Sequence, residues 1–272
     1  MPNDKLTEQR MQMLSELAEY YAETYCPHSH LIVPQDIADG LQLEYRTNDY
    51  KNAFDGMLYF RQEKFYIHLN LRSGDHLYMP RVRFTFAHEL GHYIIDEHRN
   101  ALKAGTAKPH GSFPLVSQDL LVEREADHFA ACLLMPENRI RRDVFKRKFS
   151  AALLTEISAK YNVSITAALL RLVALGNHPL MVVCSRSGMV KWSTHSYDFP
   201  FTYLLNGYKG RIPENTSAGE YFSDHIKYTT TEIVMAGDWF CLNREADEIR
   251  KFYEHCFYFE AMKQVVSVIW ED

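Results

Sequence analysis

The sequence predicts an α+β protein: helices around a small β-sheet, then a short helical segment, then a β-rich C-terminal part. Three observations predict it. Apolar residues recur at helical spacing over 7–25, 82–96 and 117–135. Two aromatic and branched runs, Met57-Leu58-Tyr59-Phe60 and Phe65-Tyr66-Ile67-His68-Leu69-Asn70-Leu71, flank the polar Arg61-Gln62-Glu63-Lys64 and read as a hairpin. From Asn177 onward the helical period gives way to short strand-like runs.

Composition narrows the function classes. With 272 residues, 46% of them hydrophobic and 24% charged, the chain is that of a globular protein of one large or two ordinary domains. A net charge of −5 argues against bulk attraction to nucleic acid or anionic membrane. No run approaches the ~18 apolar residues that a membrane span needs, and the polar start has no apolar signal core. Cys26, Cys132, Cys184, Cys241 and Cys256 are odd in number, scattered and without a C-x-x-C pair. They read as reduced, mostly buried thiols, which sets the expectation of a cytoplasmic protein.

In chain order, Thr7 caps a first helix with Met11, Leu14, Leu17, Ala18 and Tyr21 on its apolar stripe, and Pro27 closes it. A short helix starts near Pro34 and ends at Gly40. After the hairpin, on which His68 reads as a sheet-face residue, comes a polar loop over 72–80. The helix predicted over 82–96 carries His88-Glu89-Leu90-Gly91-His92, an H-E-x-x-H pattern. Residues four apart lie on one helix face, so His88 and His92 can grip one metal ion, and Glu89 can reach a water beside it. His98 has the spacing of a third histidine ligand. The sharp turn this needs calls for glycine where the chain has Ile95, so His98 is expected to point away.

Residues 100–117, with Gly105, Pro109, Gly111 and Pro114, read as a loop beside the site. The next helix, over 117–135, has a buried stripe of Val122, Ala126, Phe129, Ala130, Leu133 and Leu134. Glu123 falls inside that stripe, and a buried carboxylate needs something positive to receive it. A metal held by two histidines is the obvious receiver. Glu125, about 200° round the helix, is the competing ligand. Asp127, one turn after Glu123, can accept a hydrogen bond from the outer nitrogen of a ligating histidine.

Two stretches carry a resemblance. Arg83-Phe84-Thr85-Phe86-Ala87-His88-Glu89-Leu90-Gly91-His92-Tyr93 and Glu123-Arg124-Glu125-Ala126-Asp127-His128-Phe129-Ala130-Ala131-Cys132-Leu133-Leu134-Met135-Pro136 are similar to the two signatures of the ImmA/IrrE metallopeptidase family. The resemblance covers about residues 27–176. It implies a zincin-like, gluzincin-type domain with one Zn2+, His88, His92 and Glu123 as ligands, and Glu89 as general base. It also implies a protein substrate, a helix-turn-helix transcriptional repressor, whose cleavage would switch genes on.

The rest of the chain completes three expected segments: a zincin-like metallopeptidase domain over 1–136, a helix-turn-helix-like segment over 137–176, and a β-rich C-terminal domain over 177–272 that senses or recognises an unidentified partner. Over 139–148 the basic cluster of Arg139, Arg141, Arg142, Lys146, Arg147 and Lys148 reads as a solvated helix face. Residues 153–161 and 165–175 form two helical patterns, but the second carries only Arg171 as a charged side chain. That equips it poorly to read bases, so packing or partner docking is expected ahead of DNA contact. Runs at 180–184 and 189–192 flank a hairpin turn, and 232–242 and 263–270 are further strand candidates. The competing functional reading is a non-proteolytic regulator with a structural metal site that binds DNA or a partner protein. Glu89 weighs against it, because a structural metal needs no base.

Overall fold

The computed structural model describes residues 6–29, 31–107, 111–112 and 121–271, and these divide into two compact units. Unit 1 comprises residues 1–142 and 158–164; unit 2 comprises 143–157 and 165–272. Small sheets and helices make the chain α+β.

Unit 1 opens with α1 (Glu8–Tyr25), capped by the Thr7 side chain, which accepts from the Arg10 N–H at 3.2 Å. Leu14, Ala18 and Ala22 form its fully buried stripe. Helix α2 (Pro34–Gly40) starts on proline, whose fixed φ suits the first helical position. A three-stranded sheet follows: β1 (Glu44–Asn48), β2 (Gly56–Arg61) and β3 (Lys64–Asn70), in the order β1-β3-β2. β2 and β3 pair antiparallel from Gly56↔Leu69 to Arg61↔Lys64. Gln62 and Glu63 turn between them with φ of 52° and 61°, the left-handed pair that a two-residue hairpin demands. β1 adds in parallel to β3. β2 is therefore an edge strand, bridged beyond the sheet only at Gly56↔Ser112 among the described residues.

Helix α3 (Pro80–Ile94) carries the H-E-x-x-H pattern; α4 (Asp96–Lys103) follows after Ile95 alone, and α5 (Leu121–Leu134) ends before Pro136. Residues 117–120 of the expected third helix lie outside the described residues. α5 packs against both α1 and α3. Arg83 of α3 is buried and donates to the carbonyls of Ile32 (2.5 Å), Tyr161 (2.9 Å) and Asn162. This ties 158–164 into unit 1, at the cost of a guanidinium pushed down to about 10 by burial. Next come α6 (Glu137–Val144), α7 (Ala151–Tyr161) and α8 (Ile165–Leu175), with Asn162 at φ 48° between the last two. Arg171 of α8, the side chain on which base contact would depend, is buried.

Unit 2 is organised by a five-stranded antiparallel sheet of β4 (Leu180–Arg186), β5 (Met189–His195), β6 (Glu232–Met235), β7 (Lys251–Phe259) and β8 (Gln264–Trp270), in the order β5-β4-β8-β7-β6. Helix α9 (Ser217–Asp224) packs on β7, and α8 packs on β4 and β5. Met181, Val183, Trp239, Phe240, Phe252 and Ile269 form the centre of its core. The strand candidate at 232–242 breaks after Met235, where Asp238 Oδ2 accepts from the Met235 N–H at 2.9 Å and α10 (Ala236–Trp239) begins. All five cysteines are free, and four are buried. No described helix is long and apolar enough to cross a membrane.

Candidate metal centre

Two helices meet closely because the residues at their crossing are small. A Cβ on Gly91 of α3 would lie 3.1 Å from Phe129 Cδ1 and 3.4 Å from Ala126 Cα of α5. That approach brings Glu123, on the first turn of α5, over the face of α3 that carries His88 and His92. All three residues are buried, and each offers a ligand atom within 4.8 Å of the other two. His88 Nε2 lies 3.3 Å from Glu123 Oε2, His92 Nε2 3.3 Å from Glu123 Oε1, and the two Nε2 atoms are 3.0 Å apart. Ligand atoms on a tetrahedral zinc with bonds of ~2.0–2.1 Å stand ~3.3 Å from one another, so the spacing fits such an ion.

The protons agree with that fit. His88 Nδ1–H donates to Asp127 Oδ1 at 2.8 Å, which leaves an Nε2 lone pair facing inward. His98 Nε2–H donates to Glu125 Oε2 at 2.9 Å, so His98 Nδ1 is the acceptor for His92 Nδ1–H at 3.2 Å. His92 Nε2 then also faces inward as a lone pair. Two lone pairs and a carboxylate converging in a buried space call for a cation. Burial opposes a charge on either ring. At His88, however, hydrogen bonds to Asp127 and Glu123 outweigh burial and push the imidazole up to about 10, so a cation at Nε2 would displace the proton that otherwise faces Glu123. Burial dominates at His92 and, despite Glu123, pushes it down to about 4.

Glu89 is buried beside this cluster. It sits hard against β2: a Cβ on Gly56 would lie 2.7 Å from Glu89 Oε1 and 2.5 Å from Thr85 Cγ2. Gly56 is thus the residue that lets an edge strand approach the carboxylate. A cavity of about 150 Å³ opens from Glu89 and His92 and is walled by Leu58, Ala101, Leu102 and Val122, with Glu97 and His98 at its side. Val122, expected on the buried stripe, is 41% exposed and lines this cavity. A larger cavity, about 580 Å³, belongs to unit 2 and contains none of these residues.

His98 does not point away as expected. The chain turns at Ile95, with φ −71° and ψ 112°, without needing glycine, and α4 starts at once. That turn buries His98 behind His92, outside the group of three but bonded to it. Glu125 faces away from the cluster and binds His98 and Arg10. His68, on the sheet face, bonds the hydroxyls of Tyr50 (2.6 Å) and Tyr59 (3.2 Å). His110 lies outside the described residues, and Tyr93 packs edge-on against Phe65. Arg10, Gly56 and the inward placing of His98 were not foreseen from the sequence. Only the spacing of His98 from His88 carried a signal.

Residues 47–173 match the family model described as the IrrE N-terminal-like domain. No curated protein matches the chain significantly. Among solved structures, the chain is similar to a Mycobacterium tuberculosis transcriptional regulator, with a TM-score of 0.56 and 9% identity, over 98% of this chain and 78% of that one. This is a likeness of fold.

Proposed function

From the premise that residues 47–173 are an ImmA/IrrE-type peptidase domain, we propose that this chain is a zinc-dependent endopeptidase with His88, His92 and Glu123 as ligands and Glu89 as general base. The domain and the cluster together make it a metallopeptidase-type enzyme. The observation that carries the finer reading is the convergence of two Nε2 lone pairs and one carboxylate at tetrahedral spacing, with a second buried carboxylate alongside. Three protein ligands leave a position open, as catalytic sites require. Zinc held there would lower the pKa of a bound water towards ~7 and polarise the scissile carbonyl. Glu89 would take the proton from that water and deliver it to the leaving amine. Asp127 holds His88 in the tautomer that binds. The edge of β2, which pairs with no further strand among the described residues, would offer backbone groups to an extended substrate segment.

The substrate we propose is a helix-turn-helix transcriptional repressor, in keeping with the family resemblance, and unit 2 is the part we assign to recognition or sensing. The helix-turn-helix-like segment is assigned to packing, since Arg171 is buried. Purified protein loaded with zinc and mixed with the repressor encoded beside it tests the reading on a gel. Cleavage by the native chain, with none by Glu89→Gln at full zinc content, is the expected result. His88→Ala should lose the metal. Cleavage that persists in Glu89→Gln would overturn the mechanism, and binding without any cleavage by the native chain would favour a non-proteolytic regulator.

A further inference from the structure

A line of hydrogen bonds leaves the centre through His92 and ends on the N-terminal helix. Arg10 of α1 grips Glu125 of α5 with two bonds, Nε to Oε1 at 2.8 Å and Nη2 to Oε2 at 2.6 Å. Its third nitrogen reaches Glu97 at 3.1 Å. Glu125 Oε2 accepts from His98 Nε2 at 2.9 Å, and the His98 and His92 Nδ1 atoms are 3.2 Å apart. His92, His98 and Glu125 are buried, and Arg10 closes the line at the surface with a 20% exposed side chain.

Each link removes a choice from the next. A guanidinium only donates, so Glu125 is kept as an acceptor. An acceptor at Glu125 fixes the His98 proton on Nε2. His98 Nδ1 must then accept, which places the His92 proton on Nδ1 and leaves the His92 Nε2 lone pair for the centre. The bond lengths also fix where the His92 ring stands. We propose that Arg10, Glu125 and His98 are positioning residues that set the tautomer and orientation of His92, so that α1 is a working part of the metal centre. Arg10 lies outside the residues matched by the family model. The proposal rests on the reading of His92 as a ligand.

Zinc affinity, measured on the full chain by competition with a chelator, tests it together with the visible spectrum of the cobalt-loaded protein. His98→Phe keeps a ring and deletes both nitrogens; affinity should fall about 10- to 100-fold, the usual effect of losing such a partner. Glu125→Gln should do as much or more. Arg10 holds the amide oxygen, so the amide NH2 faces His98 and reverses the direction of the whole line. The double variant should be no worse than the more affected single variant, because both act through one path. Arg10→Gln, at a partly exposed position, should fold and lose a few-fold. Leu14→Ala, in the buried stripe of the same helix, lowers the melting temperature but should leave the cobalt spectrum and zinc affinity native. Zinc affinity within twofold of native in His98→Phe and Glu125→Gln would overturn the proposal. So would equal weakening by Leu14→Ala, which would reduce the line to packing. Failure of the native chain to bind zinc, or retention of zinc by His92→Ala, would instead sink the ligand assignment and this proposal with it.

Discussion

Glu254 shows what a single buried carboxyl does to this molecule. It sits inside unit 2, fully buried, and accepts from the Ser217 N–H (2.9 Å), Trp239 Nε1 (3.3 Å) and Cys256 Sγ (3.2 Å). Burial pushes its pKa up, and these donors only partly offset that. The unfolded chain therefore ionises first, near ~4.3. The stability of the protonated form is fully present below that value and is lost as pH rises through the higher folded pKa. Glu254→Gln should accordingly gain melting temperature relative to the native chain as pH is raised from about 4 to about 8. Thermal unfolding followed by tryptophan fluorescence checks this, and a native-minus-variant difference that does not change with pH would refute it. The metal centre was partly legible at this scale. His88 and His92 are four apart on one helix, and Glu123 is a lone acid on an apolar stripe, both of which are local patterns. Arg10 and His98 were not legible, because their meaning depends on Glu125, which is distant in sequence and on another helix.

At the scale of elements, the crossing of α3 and α5 makes the site, and Gly91 against Ala126 permits it. The paired helices and the β2–β3 hairpin were legible because their periods are uninterrupted. β1 was missed, since a five-residue run of mostly exposed, polar side chains has no apolar alternation, and its pairing to β3 supplies the order. β7 was missed because Glu254 interrupts the buried face otherwise formed by Phe252 and Cys256. The cavity between α4, α5 and β2 has a substrate consequence. Glu97 is turned to Arg10, and both His98 nitrogens are used, so among the described residues the walls are apolar apart from Glu89 and His92. At about 150 Å³ it matches a cavity that admits a benzene-sized group. A leucine, methionine or phenylalanine beside the scissile bond is therefore the expected preference. Filling the cavity with Ala101→Leu should cut cleavage at those residues about tenfold or more relative to alanine, with zinc content unchanged. Sequencing the products of a mixed peptide library reads the preference directly; equal cleavage beside charged residues would refute it.

For the molecule as a whole, the candidate metal centre lies entirely within unit 1, while Trp192, Trp239 and Trp270 all lie in unit 2. The α+β class and the change to β-structure after residue 177 could be read from periodicity. The passage of the chain between units within α7 could not, because it depends on Arg83 holding the carbonyls at 161 and 162. The candidate cluster of two histidines and a glutamate offers nitrogen and oxygen, and no sulfur, as donors to an ion. X-ray absorption at the zinc edge of the loaded full chain tests that account most directly. It predicts one zinc per chain with imidazole nitrogen and carboxylate oxygen neighbours at ~2.0–2.1 Å and no sulfur. A thiolate shell at ~2.3 Å, or a native chain that retains no zinc, would contradict it.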